Sequence, residues 1–246
     1  MQNGFQLHNQ QHTSASSINA WAAAPDIWVA EKLFGVKGSV GAAAHRGNAV
    51  ESALVNILAY GAEQNEAIEE AIKTFNQKTA LLGDKKTNEE REAITGYVKQ
   101  GIESLAGYGK PFFETDGKQN KVELLCRGAG WDLPLVGYLD LLYPQHGLVV
   151  DIKTTTKAPS KMPTEHNRQA AIYRKASGNS QVRFLYLTPT KAVWHECEDV
   201  DGTLAEIKDI LNGQEEFLRN VTREELEVWH SVYQRMFSGG RKRFNF

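Results

Sequence analysis

Apolar positions recur at helical spacing through the first part of the chain. The stretch at 41–60, GAAAHRGNAVESALVNILAY, is rich in alanine and is followed by Gly61, so it predicts one long helix. An earlier stretch has Ser17 as a candidate N-cap, but Pro25 interrupts it and predicts two short helices, because proline lacks the N–H that a helix interior needs. The helices predicted in this part lie at 14–34 in two pieces, 41–60, 62–82 and 88–105.

The pattern changes after Phe112, where short apolar runs are separated by turn-forming Gly, Pro, Asn and Asp residues. Such runs are typical of β-strands. The predicted strands lie at 121–127, 133–143, 147–154, 182–188 and 191–197, and further helices at 164–176, 204–219 and 222–237. The order predicts an α/β or α+β core, in which a small sheet with one interposed helix lies inside a largely helical shell.

No Pro/Gly/Ser-rich linker divides the 246 residues, which predicts a single domain over 1–246. Within this domain we expect a helical N-terminal part at about 14–110, a core at about 112–198 and C-terminal helices at about 203–238.

Composition excludes several classes of protein. Hydrophobic residues make up 41% of the chain, the mean hydropathy is -0.45, and no apolar run approaches the roughly 18 residues of a membrane span. The polar start MQNGFQLHNQQHTS lacks the features of a signal peptide, so we expect an intracellular, cytoplasmic protein with no membrane partner. The net charge of -2 gives no global sign of nucleic-acid binding, although a basic surface can be local.

The segment at 134–156, PLVGYLDLLYPQHGLVVDIKTTT, carries the candidate chemistry. Its two predicted strands form an antiparallel hairpin, which brings Asp140 close to Asp151. The two-residue period of a strand then puts Asp151 and Lys153 on one face and points Ile152 into the core. Burying unpaired charge among apolar neighbours is expensive, so this cluster indicates a site that needs the charges.

Two convergent carboxylates are suited to Mg²⁺, or to Mn²⁺ as a substitute. A metal there can polarise a phosphodiester and lower the pKa of a bound water, while Lys153 orients that water or neutralises developing charge. The alternative is a surface hairpin in which Asp151 and Lys153 only pair with each other. The D-x-K pattern alone favours that alternative, because it is common by chance.

Two further elements change this weighting. Gln169 and Tyr173 are four residues apart on the helix that follows the strand with Asp151 and Lys153, so they share a face. His45 lies in the alanine-rich helix. The ordered motifs, with the segment SASSINAWAAAPDIW at 14–28, resemble the RecB-type branch of the PD-(D/E)xK nuclease superfamily, which includes Cas4-like and many phage nucleases.

The resemblance implies a restriction-endonuclease-like core and a role for each matching position. Asp140 and Asp151 would be metal ligands, helped by the main-chain carbonyl of Ile152. Lys153 would be the catalytic lysine, and His45 would be an additional metal ligand or metal-proximal group.

Other residues would contact the substrate. By the same resemblance, Gln169 and Tyr173 would hold the DNA strand or position the lysine and phosphate. His166, one turn before Gln169, is a candidate phosphate contact, and Lys157 lies on the loop beside the site. For Glu51 we place solvent exposure or a helix salt bridge ahead of metal binding, because six residues put it well round the helix from His45.

The chain departs from its Cas4-like relatives in cysteine content. Those relatives place a cysteine before the proline of the N-terminal segment and three more near the C-terminus, which together hold an iron–sulfur cluster. Here Ala24 takes the first position and the chain has only Cys126 and Cys197. We therefore expect a cluster-free member. No Walker A pattern is present in these residues, so we expect no fused helicase motor.

The resemblance predicts a Mg²⁺-dependent deoxyribonuclease that leaves 5′-phosphate and 3′-hydroxyl ends. We favour an exonuclease of recombination, repair or phage DNA metabolism, which would act in the host cytoplasm if phage-encoded. The alternatives are a structure-specific or restriction-like endonuclease, and a nucleic-acid-binding subunit with an idle nuclease fold. DNA is the expected substrate, and a homo-oligomer or a recombination or replication protein is a possible partner.

Overall fold

The computed structural model describes residues 2–36, 38, 40–115, 118–178 and 180–238, with side chains up to residue 232. The helices in this part are α1 (Gly4–Leu7), α2 (Ala15–Ala23), α3 (Pro25–Trp28), α4 (Ala42–Tyr60), α5 (Gln64–Thr79), α6 (Thr87–Leu105), α7 (Thr164–Ala176), α8 (Val200–Asn220) and α9 (Arg223–Ser238). The strands are β1 (Asn120–Gly128), β2 (Trp131–Leu139), β3 (Leu141–Tyr143), β4 (Leu148–Thr154), β5 (Gln181–Leu187) and β6 (Ala192–Glu196). The predicted α/β class is confirmed, with small sheets flanked by helices.

Two helix starts differ from the predictions for identifiable reasons. Helix α8 begins four residues before the predicted 204, because the Asp199 carboxylate accepts the N–H of Gly202 at 2.9 Å and starts the helix there. Helix α1 was not predicted at all. It is a single turn that begins with a capping box, in which the side chains of Asn3 and Gln6 each accept the other's main-chain N–H.

The main sheet has four strands in the order β3-β4-β5-β6. Strand β4 pairs antiparallel with β3 and parallel with β5, and β5 pairs antiparallel with β6. The parallel pair requires a crossover connection, which α7 supplies. Strands β1 and β2 form a separate two-stranded sheet.

The chain divides into two compact units, and the unit boundaries fall within β1 and β2. One unit comprises Met1–Gly38, Leu125–Val136 and Leu204–Phe246, and the other comprises Ser39–Leu124 and Gly137–Thr203. The expectation of one nuclease domain over 1–246 stays a prediction.

The unit of 39–124 and 137–203 contains the four-stranded sheet and α4 to α7. Its core joins buried residues of α4, α5 and α6 to those of β3, β4 and β5. Helices α4 and α6 approach closely at Gly101, where a Cβ atom would lie 2.6 Å from Leu54 Cδ1. Burial of these apolar side chains supplies the main stabilisation of the unit.

A buried ion pair connects α4 and α6 to the end of β4. Arg46 on α4 pairs with Glu90 on α6, and its Nη2 donates to the main-chain oxygen of Thr154 at 3.1 Å. The guanidinium also lies 4.6 Å from the centre of the Tyr97 ring. Because Thr154 directly follows Lys153, these contacts fix the strand end that carries the candidate lysine.

In the other unit, polar contacts connect the first residues of the chain to α8. The N–H of Gly4 donates to Glu215 Oε1 at 3.1 Å, and His8 Nε2 lies 2.9 Å from the main-chain oxygen of Leu218. A Cβ atom at Gly4 would lie 2.4 Å from the main-chain oxygen of Glu215, so only glycine fits at this approach.

No helix in the described ranges combines the length and the apolar character needed to cross a membrane.

Asp84 caps the start of α4, and we expect its removal to destabilise the protein. Its carboxylate accepts the N–H of Lys86 at 2.9 Å and that of Ala42 at 3.1 Å, and these hydrogen bonds lower its pKa. Because the pKa is lower in the folded state, the stabilisation is present above the unfolded value of about 3.9 and is lost as the pH falls through the folded value. Asp84→Ala should therefore lower Tm at neutral pH, and the difference from wild type should shrink on acidification. Asp209→Ala, at an exposed position of α8, is the matched control. Equal Tm values for wild type and Asp84→Ala at neutral pH would contradict the capping role.

Candidate active site

The antiparallel pairing of β3 and β4 sets Asp140 against Asp151. The register pairs Leu141 with Val150 and Tyr143 with Leu148, and its extension by one residue places Asp140 opposite Asp151. The predicted hairpin is therefore confirmed for the part of it that carries the two carboxylates.

The prediction of a single strand at 133–143 is wrong, because the chain bends at Asp140. The part before the bend, β2, pairs with β1, whereas the part after it, β3, pairs with β4. At the bend, Asp140 Oδ2 accepts the N–H of Ile152 at 2.8 Å. A side-chain oxygen thus satisfies a buried main-chain donor where the strand pairing changes.

Asp151 and Lys153 share a face of β4, as predicted. Lys153 Nζ lies 2.5 Å from Asp151 Oδ1, and Asp151 is only 1% exposed. Ile152 between them belongs to the hydrophobic core. The charged pair is therefore buried at its acidic end and is not an exposed surface pair.

Helix α7 reaches the site through two side chains on one face. Gln169 Nε2 lies 2.8 Å from Asp151 Oδ2 and 2.9 Å from the hydroxyl of Tyr173, and that hydroxyl donates to the main-chain oxygen of Tyr138 at 2.9 Å. The predicted common face of Gln169 and Tyr173 is thus confirmed. Gln169 contacts a carboxylate directly, whereas the buried Tyr173 holds Gln169 in place.

Gly137 on β2 makes room for this arrangement. A Cβ atom at Gly137 would lie 2.3 Å from Cε1 of Tyr173, so the absence of a side chain lets the tyrosine ring pack against the strand.

A third carboxylate, Glu51 on α4, joins the site. Gln119 Nε2 donates to Glu51 Oε1 at 2.7 Å and to Asp140 Oδ1 at 2.8 Å, so one amide group bridges the two acidic side chains. Glu51 is half-buried, and its carboxylate takes part in this bridge. Gln119 was not identified from the sequence, because a single glutamine before a strand carries no pattern.

The three carboxylates, Lys153 and Gln169 line a cavity of about 410 Å³. It is lined by Ala43, Ala44, Arg46, Gly47, Asn48, Glu51, Asp140, Asp151, Ile152, Lys153, Thr154 and Gln169. The helical period places Ala44, Gly47 and Glu51 on one side of α4, and His45 lies about 100° round the helix from Ala44. His45 is half-buried and outside this lining, and its role as a metal ligand stays a prediction.

The two further DNA contacts named from the sequence lie outside the cavity lining. His166 Nδ1 lies 2.5 Å from the hydroxyl of Tyr186, and burial lowers its pKa, with a further contribution from the charge of Lys153. Lys157 is exposed on the loop after β4. The proposed roles of His166 and Lys157 in DNA binding stay predictions.

The charges of the site shift one another's pKa values. Burial raises the pKa of Asp140 well above its usual range, and the charges of Asp151 and Glu51 raise it further. Burial also raises the pKa of Glu51, helped by the charge of Asp151. Burial acts to lower the pKa of Lys153, but the neighbouring carboxylates outweigh it and raise the pKa, so the lysine stays protonated.

The donor chemistry of the cavity fits a divalent cation. Carboxylate oxygens are the ligands that Mg²⁺ and Mn²⁺ prefer, and a cation would counter both the burial and the repulsion that raise the pKa values of Asp140 and Glu51. Across the described residues, no three His, Cys, Asp or Glu side chains are grouped closely enough to hold a metal ion. The carboxylate oxygens are instead hydrogen-bonded to Ile152, Gln119 and Gln169, and these are the contacts that a cation would modify.

Comparison with protein families identifies the class of protein. The model of the PD-(D/E)XK nuclease superfamily matches residues 12–239, which is most of the chain. The chain therefore belongs to this superfamily, and its restriction-endonuclease-like core is confirmed. Membership indicates a nuclease with DNA as its substrate, and nucleases of this superfamily generally use divalent metal ions.

Comparisons with curated proteins and with solved structures give no further information about function. No curated protein matches the chain significantly. Six chains of solved structures match, among them one described as "Crystal structure of SSO0001", with a TM-score of 0.37 and 16% identity over 92% of this chain and 98% of that chain. A TM-score this low supports no conclusion about function.

We expect Gly137→Ala to damage both stability and activity. The new methyl group would displace the Tyr173 ring and, with it, Gln169. Overpacking of this kind costs roughly 1–3 kcal/mol of unfolding free energy. Urea unfolding and single-turnover cleavage measure the two effects. The matched control is Gly213→Ala in α8, where a Cβ atom would meet nothing within 4 Å and should raise helix stability slightly. Unchanged stability and turnover in Gly137→Ala would show that the close packing is unimportant.

Proposed function

We propose that this chain is a Mg²⁺-dependent deoxyribonuclease of the RecB-type, Cas4-like branch of its superfamily, and that it acts as an exonuclease. The observation that carries the proposal is the buried pairing of Asp140 with Asp151 beside Lys153, in a cavity open to substrate. We place the protein in the recombination, repair or DNA metabolism of a cell or phage, and in the cytoplasm.

The branch assignment rests on the ordered motifs of the sequence, and the absence of an iron–sulfur cluster rests on cysteine chemistry. Cys126 and Cys197 are both free, and Ala24 occupies the position where the Cas4-like relatives have a cysteine. Two thiols cannot supply the four ligands of such a cluster.

In the proposed mechanism Asp140, Asp151 and the main-chain carbonyl of Ile152 would hold the cation, with His45 or Glu51 as an additional group. When bound, Mg²⁺ would polarise the phosphodiester and lower the pKa of a coordinated water. The neighbouring carboxylates raise the pKa of Lys153, which favours the ammonium form that would stabilise negative charge developing on the phosphate.

Gln169 has a positioning role in this mechanism. Its amide nitrogen holds Asp151 Oδ2 from the side of α7, and Tyr173 holds that amide in turn. The pair therefore fixes the direction of the Asp151 carboxylate, and we expect its loss to slow turnover more than it weakens metal binding.

A cleavage assay on labelled DNA tests the proposed function directly. Linear single- and double-stranded substrates carry a label at the 5′ or the 3′ end, and a covalently closed circle is the parallel substrate. We expect stepwise release of products from linear DNA in Mg²⁺ or Mn²⁺, and none in EDTA. Cleavage of the closed circle would favour the endonuclease alternative. If no substrate is cleaved, the idle-subunit alternative is favoured. Full cleavage in EDTA would exclude a metal-dependent nuclease.

We expect Asp140→Asn and Asp151→Asn to abolish cleavage while the protein stays folded. Each change removes an anionic ligand and keeps one oxygen that can accept one of the two existing contacts, while the new amide nitrogen faces a donor at the other. Removing a buried charge relieves repulsion but also loses one of its contacts, so we expect a lower Tm in a protein that still folds. Cleavage assays and circular dichroism measure the two effects, with Asp209→Asn on α8 as the control. Wild-type cleavage rates in either site variant would contradict its assignment as a ligand.

Lys153→Ala should lower the cleavage rate far more than DNA affinity, because its ammonium acts on charge that develops in the transition state. We expect a loss of roughly 10²–10³ in kcat, as for removal of other groups that stabilise transition-state charge. The comparison is Lys157→Ala, an exposed lysine whose loss should weaken DNA binding and reduce its salt dependence without slowing the bound complex. Equal losses in rate and affinity for Lys153→Ala would make Lys153 a simple phosphate contact.

A further inference from the structure

A polar stripe runs along α4 away from the catalytic cavity. Asn48, Ser52, Asn56 and Tyr60 are spaced by four residues and therefore lie on one face of the helix. Asn48, Ser52 and Tyr60 are exposed and Asn56 is half-buried. Amide and hydroxyl groups in such a row can hydrogen-bond a ligand along its length without adding charge of their own.

This stripe forms one wall of a groove of about 350 Å³, which we call the α4 groove. The opposite wall includes Phe113, Lys118 and Gln119. Asn48 and Glu51 line both the α4 groove and the catalytic cavity, so the two are continuous. Glu51 is the only acidic residue in the described lining of the groove and lies at its catalytic end.

The far end of the α4 groove is aromatic. Tyr60 is 46% exposed, and its ring lies nearly parallel to that of Phe113, with centroids 6.3 Å apart. The neighbouring Phe112 is 49% exposed. Lys110 lines the adjoining surface pocket together with Tyr60 and Phe112. Exposed aromatic rings beside lysines are the combination that binds single-stranded nucleic acid, because rings stack on bases and ammonium groups attract phosphates.

We propose that the α4 groove binds the single strand next to the scissile phosphodiester, and that one of its bases stacks on Tyr60. The proposal rests on the proposed deoxyribonuclease function and adds a substrate-binding site to it. Single-stranded DNA fits because its bases are free to stack, whereas the bases of a duplex are already stacked and paired.

The helix geometry sets the length of strand that the groove accommodates. Tyr60 lies nine positions after Glu51, which corresponds to about 13.5 Å along the helix axis. At about 3.4 Å per nucleotide, a stacked strand covers this distance with about four nucleotides. Shorter substrates occupy the catalytic cavity without reaching Tyr60.

The test compares a minimal substrate with oligonucleotides of increasing length. The minimal substrate is the p-nitrophenyl ester of thymidine 5′-phosphate, and the others are oligothymidylates from the dinucleotide upward. For Tyr60→Ala, we expect the KM for long oligothymidylates to rise roughly five- to hundredfold relative to the KM for the ester, which is the range that loss of one stacking contact produces. The effect should begin at about four nucleotides. Tyr60→Phe keeps the ring and should restore the wild-type ratio, and Leu81→Ala removes a fully exposed apolar side chain outside the groove as a control.

Fluorescence of 2-aminopurine provides a second readout that does not depend on turnover. With the probe at successive positions of an oligothymidylate bound in EDTA, stacking on Tyr60 should quench one position in wild type and Tyr60→Phe but not in Tyr60→Ala. If the protein cleaves DNA but KM ratios and quenching are the same in wild type and Tyr60→Ala, the α4 groove is not a strand-binding site. If no substrate is cleaved, the deoxyribonuclease function fails, while the quenching pattern still tests the groove.

Discussion

The buried hydrogen bond from the N–H of Ile152 to the carboxylate of Asp140 is the constraint on which the site depends. It connects the bend between β2 and β3 to the strand that carries Asp151 and Lys153. The bend at Asp140 lets the chain leave the β1-β2 sheet and enter the four-stranded sheet. The hydrogen bond directs the Asp140 side chain toward β4. The fold thereby brings two carboxylates together at a point where their mutual repulsion must be offset.

The surrounding polar groups partly offset the repulsion between the carboxylates. Gln119 donates to two carboxylates, Gln169 donates to Asp151, and Lys153 supplies the positive charge closest to the site. Arg46 lines the same cavity but is paired with Glu90, so its contacts anchor the end of β4. Burial raises the pKa values of Asp140 and Glu51, and the charge of Asp151 raises both further despite these contacts. A cation would favour the ionised carboxylates and offset their mutual repulsion, which suits the site to a divalent ion.

Local patterns predicted much of this arrangement, and tertiary contacts determined the rest. The turn at 144–147 and the two-residue strand period placed Asp140, Asp151 and Lys153 correctly, and the four-residue spacing placed Gln169 beside Tyr173. The bend at Asp140 was not predictable, because the apolar pattern runs through 133–143 without a break and only pairing with β1 divides it. The position of Glu51 depends on how α4 packs on the sheet. The local sequence of α4 does not show this packing.

Thermal unfolding with and without Mn²⁺ tests most directly whether the buried carboxylates form a cation site. Binding to the folded state alone raises Tm. Wild type and Asp209→Asn should both show this increase, and Asp140→Asn and Asp151→Asn should lose it although they remain folded. No increase in wild type, or an equal increase in all four proteins, would contradict the assignment of these carboxylates as metal ligands.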